Sequence, residues 1–138
     1  MSYGAGAALQ AAVYQRLVAN TELAALVGDA IFDEVPAGKV PPTYVSLGTE
    51  TVVDRSDADG GAAEHRFVVS VVSDKGGFGK AKATAVAISD AMMADTLNLA
   101  RGRVVFLTFD RAIAKRDTSK NLRRIDLRFR ARIEDNQT

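Results

Sequence analysis

The sequence predicts an α+β fold: a single four-stranded, mainly antiparallel (mixed) sheet with two main helices packed on one face. Residues 7–20 and 80–95 have apolar residues at three-and-four spacing, which is typical of helices with one buried side. Within the segment 122–135, residues 123–133 alternate between two faces without a break, which is typical of a strand with one buried face. The length of 138 residues is within the usual size of one domain, so a single domain over 1–138 is expected.

The N-terminal part of the chain predicts one main helix and one short helix. Residues 7–20 form the main helix, which Asn20 interrupts. The short helix follows at 22–27, with Thr21 as its expected N-terminal cap and Gly28 at its end.

The two strands that follow are separated by loops. A short extended segment at 31–35 leads into a proline-containing loop at 36–42, in which neither a helix nor a strand can continue. Residues 43–54 are rich in Thr and Val and predict the first long strand. The segment 55–63 is rich in Asp and Gly, and we expect a mobile loop. Residues 64–74 predict a second long strand, which should lie centrally because both of its faces are partly apolar.

The C-terminal half predicts a helix and two more strands. A mobile, glycine-rich turn at 75–79 leads into the longest helix, 80–95. Strands at 103–115 and 123–133 follow, so that two hairpins joined by a crossover helix make one sheet with the helices on one face. The residues expected on the covered face of the first of these strands are Val105, Leu107 and Phe109, with Ile113 as a further candidate.

The composition, with 47% hydrophobic and 25% charged residues, is that of an ordinary globular protein. No apolar run approaches the roughly 20 residues that a membrane helix needs. A secretory signal is not expected, because no Lys or Arg precedes Arg16. The sequence has no cysteine, which excludes disulfides and thiol catalysis and favours a reducing compartment.

The net charge of +1 hides a strong asymmetry along the chain. Residues 1–64 hold nine acids against three bases, a local charge of −6. Residues 101–132 hold eleven bases against three acids, a local charge of +8. Such a contrast indicates either an internal match or copies of the chain that meet head to tail, and the sequence leaves both interpretations open.

Two loops resemble ligand-binding motifs but lack the residues that define them. The glycines of 76–80 precede a helix as in a phosphate-binding loop, yet Asp74 and Ala81 replace the required Gly and the required Ser or Thr. The segment 57–60 has calcium-loop spacing, yet the cationic Arg55 and Arg66 would occupy the first and last ligand positions. A flexible turn and a solvated loop are the better interpretations.

Enzyme chemistry finds little support in the sequence. His65 is the only histidine, which excludes a multi-histidine metal site, and no nucleophile elbow occurs. His65 is in phase with Phe67 and Val69, which favours a partly buried structural role over a catalytic one. We therefore expect no enzyme activity, no metal and no cofactor.

The polar side of the last strand carries four arginines and a single acid. They are Arg124, Arg128, Arg130 and Arg132, with Asp126. Like charges on one sheet surface repel each other unless something neutralises them. Acids on a neighbouring strand, such as Asp110 or Glu50, are one candidate for neutralising the arginines. The other is an interface with an acidic partner surface or with phosphates.

The position of the aromatic residue in this strand favours a protein partner over nucleic acid. Sheets that bind single-stranded nucleic acid usually present aromatic side chains among the basic ones. Here Phe129 falls on the opposite, buried side. We therefore interpret the arginines as a protein–protein contact, most readily with another copy of the chain, and keep a nucleic-acid-binding module with a basic sheet face as the alternative.

Four stretches of the chain together resemble the tail-completion family of long-tailed phages and gene transfer agents, whose members are tail terminators. The resemblance spans residues 7–134. The stretches are ELAALVGDAIFDEVP at 22–36, PTYVSLGTET at 42–51, EHRFVVSVVS at 64–73 and RIDLRFRARIE at 124–134.

The resemblance implies a structural role in virion assembly. Such proteins form a hexameric ring on the finished tail tube, stop its polymerisation and offer a surface for joining the head. The implied partners are other copies of the chain, the tail tube protein and a head–tail connector or stopper protein, with DNA passing through the lumen without sequence-specific binding and no membrane. The implied location is the head–tail junction of a phage-like particle assembled in the bacterial cytoplasm.

The two glycine-rich loops are the expected contacts with the tube, the connector or the lumen. An acidic loop lining the lumen would repel DNA and let it slide through. The residues concerned are Asp57, Asp59, Gly60, Gly61, Gly76 and Gly77.

Overall fold

Residues 3–56, 60–74 and 78–135, the part of the chain that the computed structural model describes, form three helices and one five-stranded sheet. The helices are α1 (Gly6–Val18), α2 (Thr21–Val27) and α3 (Gly79–Met93). The strands are β1 (Ile31–Phe32), β2 (Thr43–Asp54), β3 (Ala62–Ser73), β4 (Arg103–Asp117) and β5 (Leu122–Glu134).

The strands lie side by side in the order β1-β2-β3-β5-β4, with β1 parallel to β2 and every other neighbouring pair antiparallel. The predicted α+β class, the four long strands, the two hairpins and the inner position of β3 are confirmed. The strand count is wrong, because β1 adds a fifth strand. Its two residues, Ile31 and Phe32, are too few to produce a periodic signal, and they are recognisable only by their pairing with Val45 and Ser46.

All three helices cover the same face of the sheet, which we call the helix face. Alternate residues of β5 point into it, as the sequence predicts, and α1, α2 and α3 add the apolar side chains that cover them. The sequence predicts two main helices and a short one, and the short helix, α2, packs into the same core through Leu23. The largest buried apolar side chains of this core are Leu9, Leu17, Leu23, Ile88, Met92, Phe129 and Ile133.

The cap of α2 lies one residue earlier than predicted. Asn20 is the N-terminal cap, since its side-chain oxygen accepts a hydrogen bond of 2.9 Å from the amide of Leu23, while Thr21 is already helical. The end of the helix at Gly28 is confirmed, and its φ of +61° is a conformation that favours glycine.

Two β-bulges in β4 overturn part of the predicted buried face of this strand. The first lies between Val104 and Phe106, so that Val104 is buried and Val105 is 41% exposed. The second, between Phe109 and Arg111, reverses the phase again and places Ile113 on the face away from the helices. A bulge shifts the alternation of side chains by one, which a period-two pattern cannot anticipate.

The predicted loops are partly confirmed. The segment 36–42 contains neither helix nor strand. The loop expected at 55–63 is shorter than predicted because β3 already begins at Ala62, and the turn expected at 75–79 ends before Gly79, where α3 begins. The mobility of these loops stays a prediction.

Candidate functional site

The four predicted arginines lie together on the sheet face opposite the helices, which we call the open face. They occupy every second position of β5 apart from Asp126, and they alternate with side chains buried under the helices. β5 lies between β3 and β4, so this row runs through the interior of the sheet and not along its edge.

Neighbouring strands add bases that the sequence reasoning did not select. Arg66 of β3 lies directly opposite Arg130, and Arg111 of β4 lies opposite Arg128. Lys115, also in β4, lies opposite Arg124. Only the strand register reveals these pairs, since the bases are far apart in the chain, so the basic surface is broader than one strand.

Two acids within the sheet neutralise part of this charge. Glu64 lies 2.6 Å from Arg66 Nε and 3.8 Å from Arg130 Nε. Asp126 lies 2.9 Å from Arg124 Nε and 3.7 Å from Lys115 Nζ.

The acids proposed from the sequence do not fill this role. Among the described residues Asp110 forms no ion pair with the arginines. Glu50 is on the helix face, where it pairs with His65, because a bulge between Leu47 and Glu50 shifts the phase of β2. The two acids named from the sequence are therefore the wrong ones, but an acid on a neighbouring strand, Glu64 of β3, does pair with Arg130.

The carboxyl group of Asp126 is held in its charged form. Burial by itself raises the pKa of Asp126, but the hydrogen bond from Ser70 Oγ and the positive charges of Arg124 and Lys115 outweigh it. The pKa of Asp126 therefore lies below its ordinary value, and the group is a fixed negative charge on the open face.

Three arginines of the open face form no ion pair within the described residues: Arg111, Arg128 and Arg132. Arg132 donates instead to the carbonyl of Arg55, and the buried Arg128 Nε has no hydrogen-bond partner there. A groove of about 410 Å³ opens beside Arg128. Its lining combines β2, β3, β4 and β5, with Thr49, Thr51, Arg66, Asp110, Arg128 and Arg130 among the polar residues. The arrangement suits an acidic group supplied from outside the chain.

The arginine stems also cover the sheet. Ser70 and Val72 are buried although they lie on the open face, away from the helices. Arg124 Nη2 donates to Ser70 Oγ at 3.3 Å, so the long side chain lies across the strand beneath it. Arginines of this kind contribute apolar contacts as well as charge.

One aromatic residue does lie among the basic residues of the open face, whereas the sequence argument from Phe129 predicted none there. Phe106 lies opposite Arg132, and the Arg130 guanidinium lies 5.8 Å from the centre of its ring. The ring is already engaged in a cation–π contact and is not a free stacking platform.

The predicted loop residues are placed only in part. Asp57, Asp59, Gly76 and Gly77 lie outside the described residues. Gly60 and Gly61 adjoin the start of β3, and the Gly61 carbonyl accepts a hydrogen bond of 3.1 Å from the amide of Asp135. Before residues 57–59, the chain contacts the arginines through Arg55, whose carbonyl accepts a hydrogen bond of 3.1 Å from Arg132 Nη2.

His65 lies on the helix face, in phase with Phe67, as the sequence predicts. It is completely buried, its Nδ1 lies 3.2 Å from Glu50 Oε2, and the ring of Tyr3 stacks on it. Tyr3 donates its hydroxyl proton to Glu50, which raises the pKa of Tyr3. This group joins the N-terminal segment to the sheet.

Neither a metal site nor a membrane-spanning helix is found in the described part of the chain. Residues 3–56, 60–74 and 78–135 contain no cluster of three or more His, Asp or Glu side chains arranged to hold a metal ion. Among the helices formed by these residues, none has the length and apolar character needed to span a membrane.

Comparison with known proteins identifies the class of this protein. The sequence model described as "Tail completion protein gp17" matches residues 11–134. A chain from a solved structure titled "Virion of native gene transfer agent (GTA) particle" is 56% identical, with a TM-score of 0.91, and the match covers 96% of this chain and 99% of that one. No curated protein matches significantly.

These matches define a structural virion protein of the tail. The chain belongs to the tail-completion family, and it is similar to a component of a gene transfer agent particle. The resemblance found in the sequence is confirmed.

Proposed function

We propose that the protein is a tail terminator, which forms a ring, a hexamer by its family resemblance, on the end of the tail tube. The ring stops polymerisation of the tube and provides the surface for joining the head, with the tail tube protein and a connector or stopper protein as its partners. The observation that carries this proposal is the family match over residues 11–134, supported by the 56% identity to a virion component.

The role requires contacts rather than chemistry. DNA would pass through the lumen without sequence-specific binding, and no reaction or cofactor is involved. The ring would sit at the head–tail junction of a particle assembled in the bacterial cytoplasm. The loops that contain Asp57, Asp59, Gly60, Gly61, Gly76 and Gly77 are the proposed contacts with the tube, the connector or the lumen.

Ring formation needs two different, complementary patches on each subunit, because only a heterologous contact that closes gives a ring. The open face, with Arg124, Arg128, Arg130 and Arg132, is suited to an acidic protein surface. Arg128 lacks an acidic partner among the described residues and lies beside a groove. An acid from another copy would neutralise it.

Deletion of the gene, followed by electron microscopy of the particles, tests the function. A terminator is needed to stop the tube and to join the head, so overlong or headless tails are expected. Restoration of normal particles by the wild-type gene is the control. Tails of normal length with heads attached in the deletion strain would refute the proposal.

Charge reversal tests the use of the open face. Arg128→Glu together with Arg130→Glu is expected to reduce ring-containing particles by about tenfold, because acids would then face acids across the contact. Lys80→Glu together with Lys82→Glu on α3 makes the same change in net charge away from this face and serves as the control. Normal ring assembly by the first variant would exclude the open face as the contact.

Nucleic-acid binding by the same face is the second candidate, favoured by the groove that Arg66, Arg128 and Arg130 line. It predicts that the isolated protein binds DNA with an affinity that falls steeply as salt is raised. It also predicts no ring at high protein concentration. Filter binding over a salt series and sedimentation of the same sample separate the two candidates.

A further inference from the structure

The outer edge of β4 combines exposed apolar side chains with an excess of positive charge. Val105 and Phe109 are 41% and 44% exposed, and the Phe109 ring also packs edge-on against Phe129. Arg111 and Arg116 are exposed, one on each side of the strand, and form no ion pair within the described residues. β4 has two acids: Asp117 is engaged by its own turn, where it accepts hydrogen bonds from Ser119 and Lys120, and Asp110 is exposed next to Arg111 without an ion pair in the described residues. We call this surface the basic edge.

The opposite edge of the sheet has the complementary character. A groove of about 580 Å³ lies between α1 and the segment that continues β1. Small side chains on α1 leave the groove open, and aromatic side chains and two exposed acids line it. The residues concerned are Ala7, Ala11, Tyr14, Phe32, Asp33 and Glu34. We call this surface the acidic groove.

Neither acid of this groove is neutralised within the described residues. Asp33 accepts a hydrogen bond from the uncharged side-chain amide of Gln10. Glu34 forms no ion pair within the described residues. No base occurs in the sequence between Arg16 and Lys39. The guanidinium group of Arg16 is turned away to carbonyl groups of Ala91 and of the segment after α3.

We infer that the basic edge of one copy docks in the acidic groove of the next copy, with Arg111 and Arg116 facing Asp33 and Glu34. This inference rests on the proposed ring and extends its contact from the open face to the outer strand, since Arg111 lies opposite Arg128. The strand order places β1 and β4 at the two ends of the sheet, so each subunit presents one surface on either side. A contact between two different surfaces repeats from copy to copy until the ring closes.

Side chains, rather than a continuous ladder of backbone hydrogen bonds, would make this contact. β1 has only two residues, and β4 is interrupted by two bulges. Short edge strands and bulges are the features by which proteins prevent uncontrolled strand addition. Apolar side chains of the basic edge would fill the groove while the charges select the partner and its orientation.

Charge exchange in assembling particles tests the inference. Asp33→Lys with Glu34→Lys, and separately Arg111→Glu with Arg116→Glu, should each lower the amount of this protein in purified particles by roughly tenfold, because like charges would then meet. The variant with all four substitutions should recover most of that loss, since both sides of every contact are reversed. Lys80→Glu with Lys82→Glu makes the same change in net charge as Arg111→Glu with Arg116→Glu and is the control for that variant.

The outcomes separate the contact from the function. Wild-type incorporation of either two-residue variant overturns the inference, and so does a four-residue variant that folds but stays as defective as the two-residue variants. In both cases overlong tails in the deletion strain would leave the terminator proposal intact.

Cross-linking gives a second readout, because the chain has no cysteine. A variant with Glu34→Cys and Arg111→Cys should form disulfide-linked multimers in oxidised particles, whereas Lys80→Cys with Arg111→Cys should stay monomeric. Monomers alone from the first variant would also overturn the inference.

Discussion

At the scale of single residues, Asp126 reduces the repulsion among the basic groups of the open face. It accepts a hydrogen bond of 2.7 Å from Ser70 Oγ and pairs with Arg124 and Lys115. Without this acid, the basic groups of two adjacent strands would repel each other.

We expect Asp126→Asn to lower the free energy of unfolding by about 1–2 kcal/mol at neutral pH, because a charged hydrogen bond and its ion pairs are lost. The pKa of Asp126 in the folded protein lies below its ordinary value of 3.8. Its stabilisation is therefore fully present above that value and is lost as the pH falls through the lower folded pKa. Urea denaturation of both proteins at neutral and acidic pH measures the difference, which should shrink in acid.

Asp110→Asn is the matched control, since Asp110 is exposed and forms no ion pair within the described residues. Its effect should stay within about 0.5 kcal/mol. An equal loss of stability in both variants would mean that the position of Asp126 is unimportant.

The candidate surface was predictable from the sequence only along one strand. Strict alternation places Arg124, Arg128, Arg130 and Arg132 on one side whatever the partner strands are. The cross-strand neighbour Arg111 could not be predicted, because its place opposite Arg128 depends on a bulge. Pairing between strands is a tertiary property that a period of two does not contain.

At the scale of elements, the start of α2 shows how a cap is misassigned by one position. Asn20 and Thr21 are both residue types that favour N-terminal caps, and the sequence offers no criterion to choose between them. The structure assigns the cap to Asn20, whose side chain accepts from the amide of Leu23.

Asn20→Ala is expected to destabilise the protein by about 1 kcal/mol, the usual cost of losing an N-terminal cap. Thermal unfolding followed by circular dichroism measures it. Thr21→Ala, at an exposed helical position next to the cap, should change stability by less than about 0.5 kcal/mol. The reverse order of the two effects would restore Thr21 as the cap.

At the scale of the whole molecule, the charge contrast of the sequence is in part an internal match. Glu64, from the acidic part of the chain, pairs with Arg130, from the basic part, so some of the contrast is an internal match. Other charges, including Asp33, Glu34 and Arg116, remain exposed without an ion pair in the described residues.

The fold class and the long strands were predictable because their periodicity is local and extends over ten residues or more. The short strand β1 and the position of β5 between β3 and β4 were not. These features depend on which segments meet in space, and residues 31–32 carry too little pattern to show it.

The two ends of the described chain meet at one point. A side chain at Gly4 would collide with Arg101 and Asp135, whose ion pair of 2.9 Å lies directly beside it. A small density marker fused near either end would thus emerge at the same end of the sheet, where β5 finishes and β3 begins. In electron micrographs of labelled particles, either marker would report which way the subunits of the proposed ring point along the tail axis.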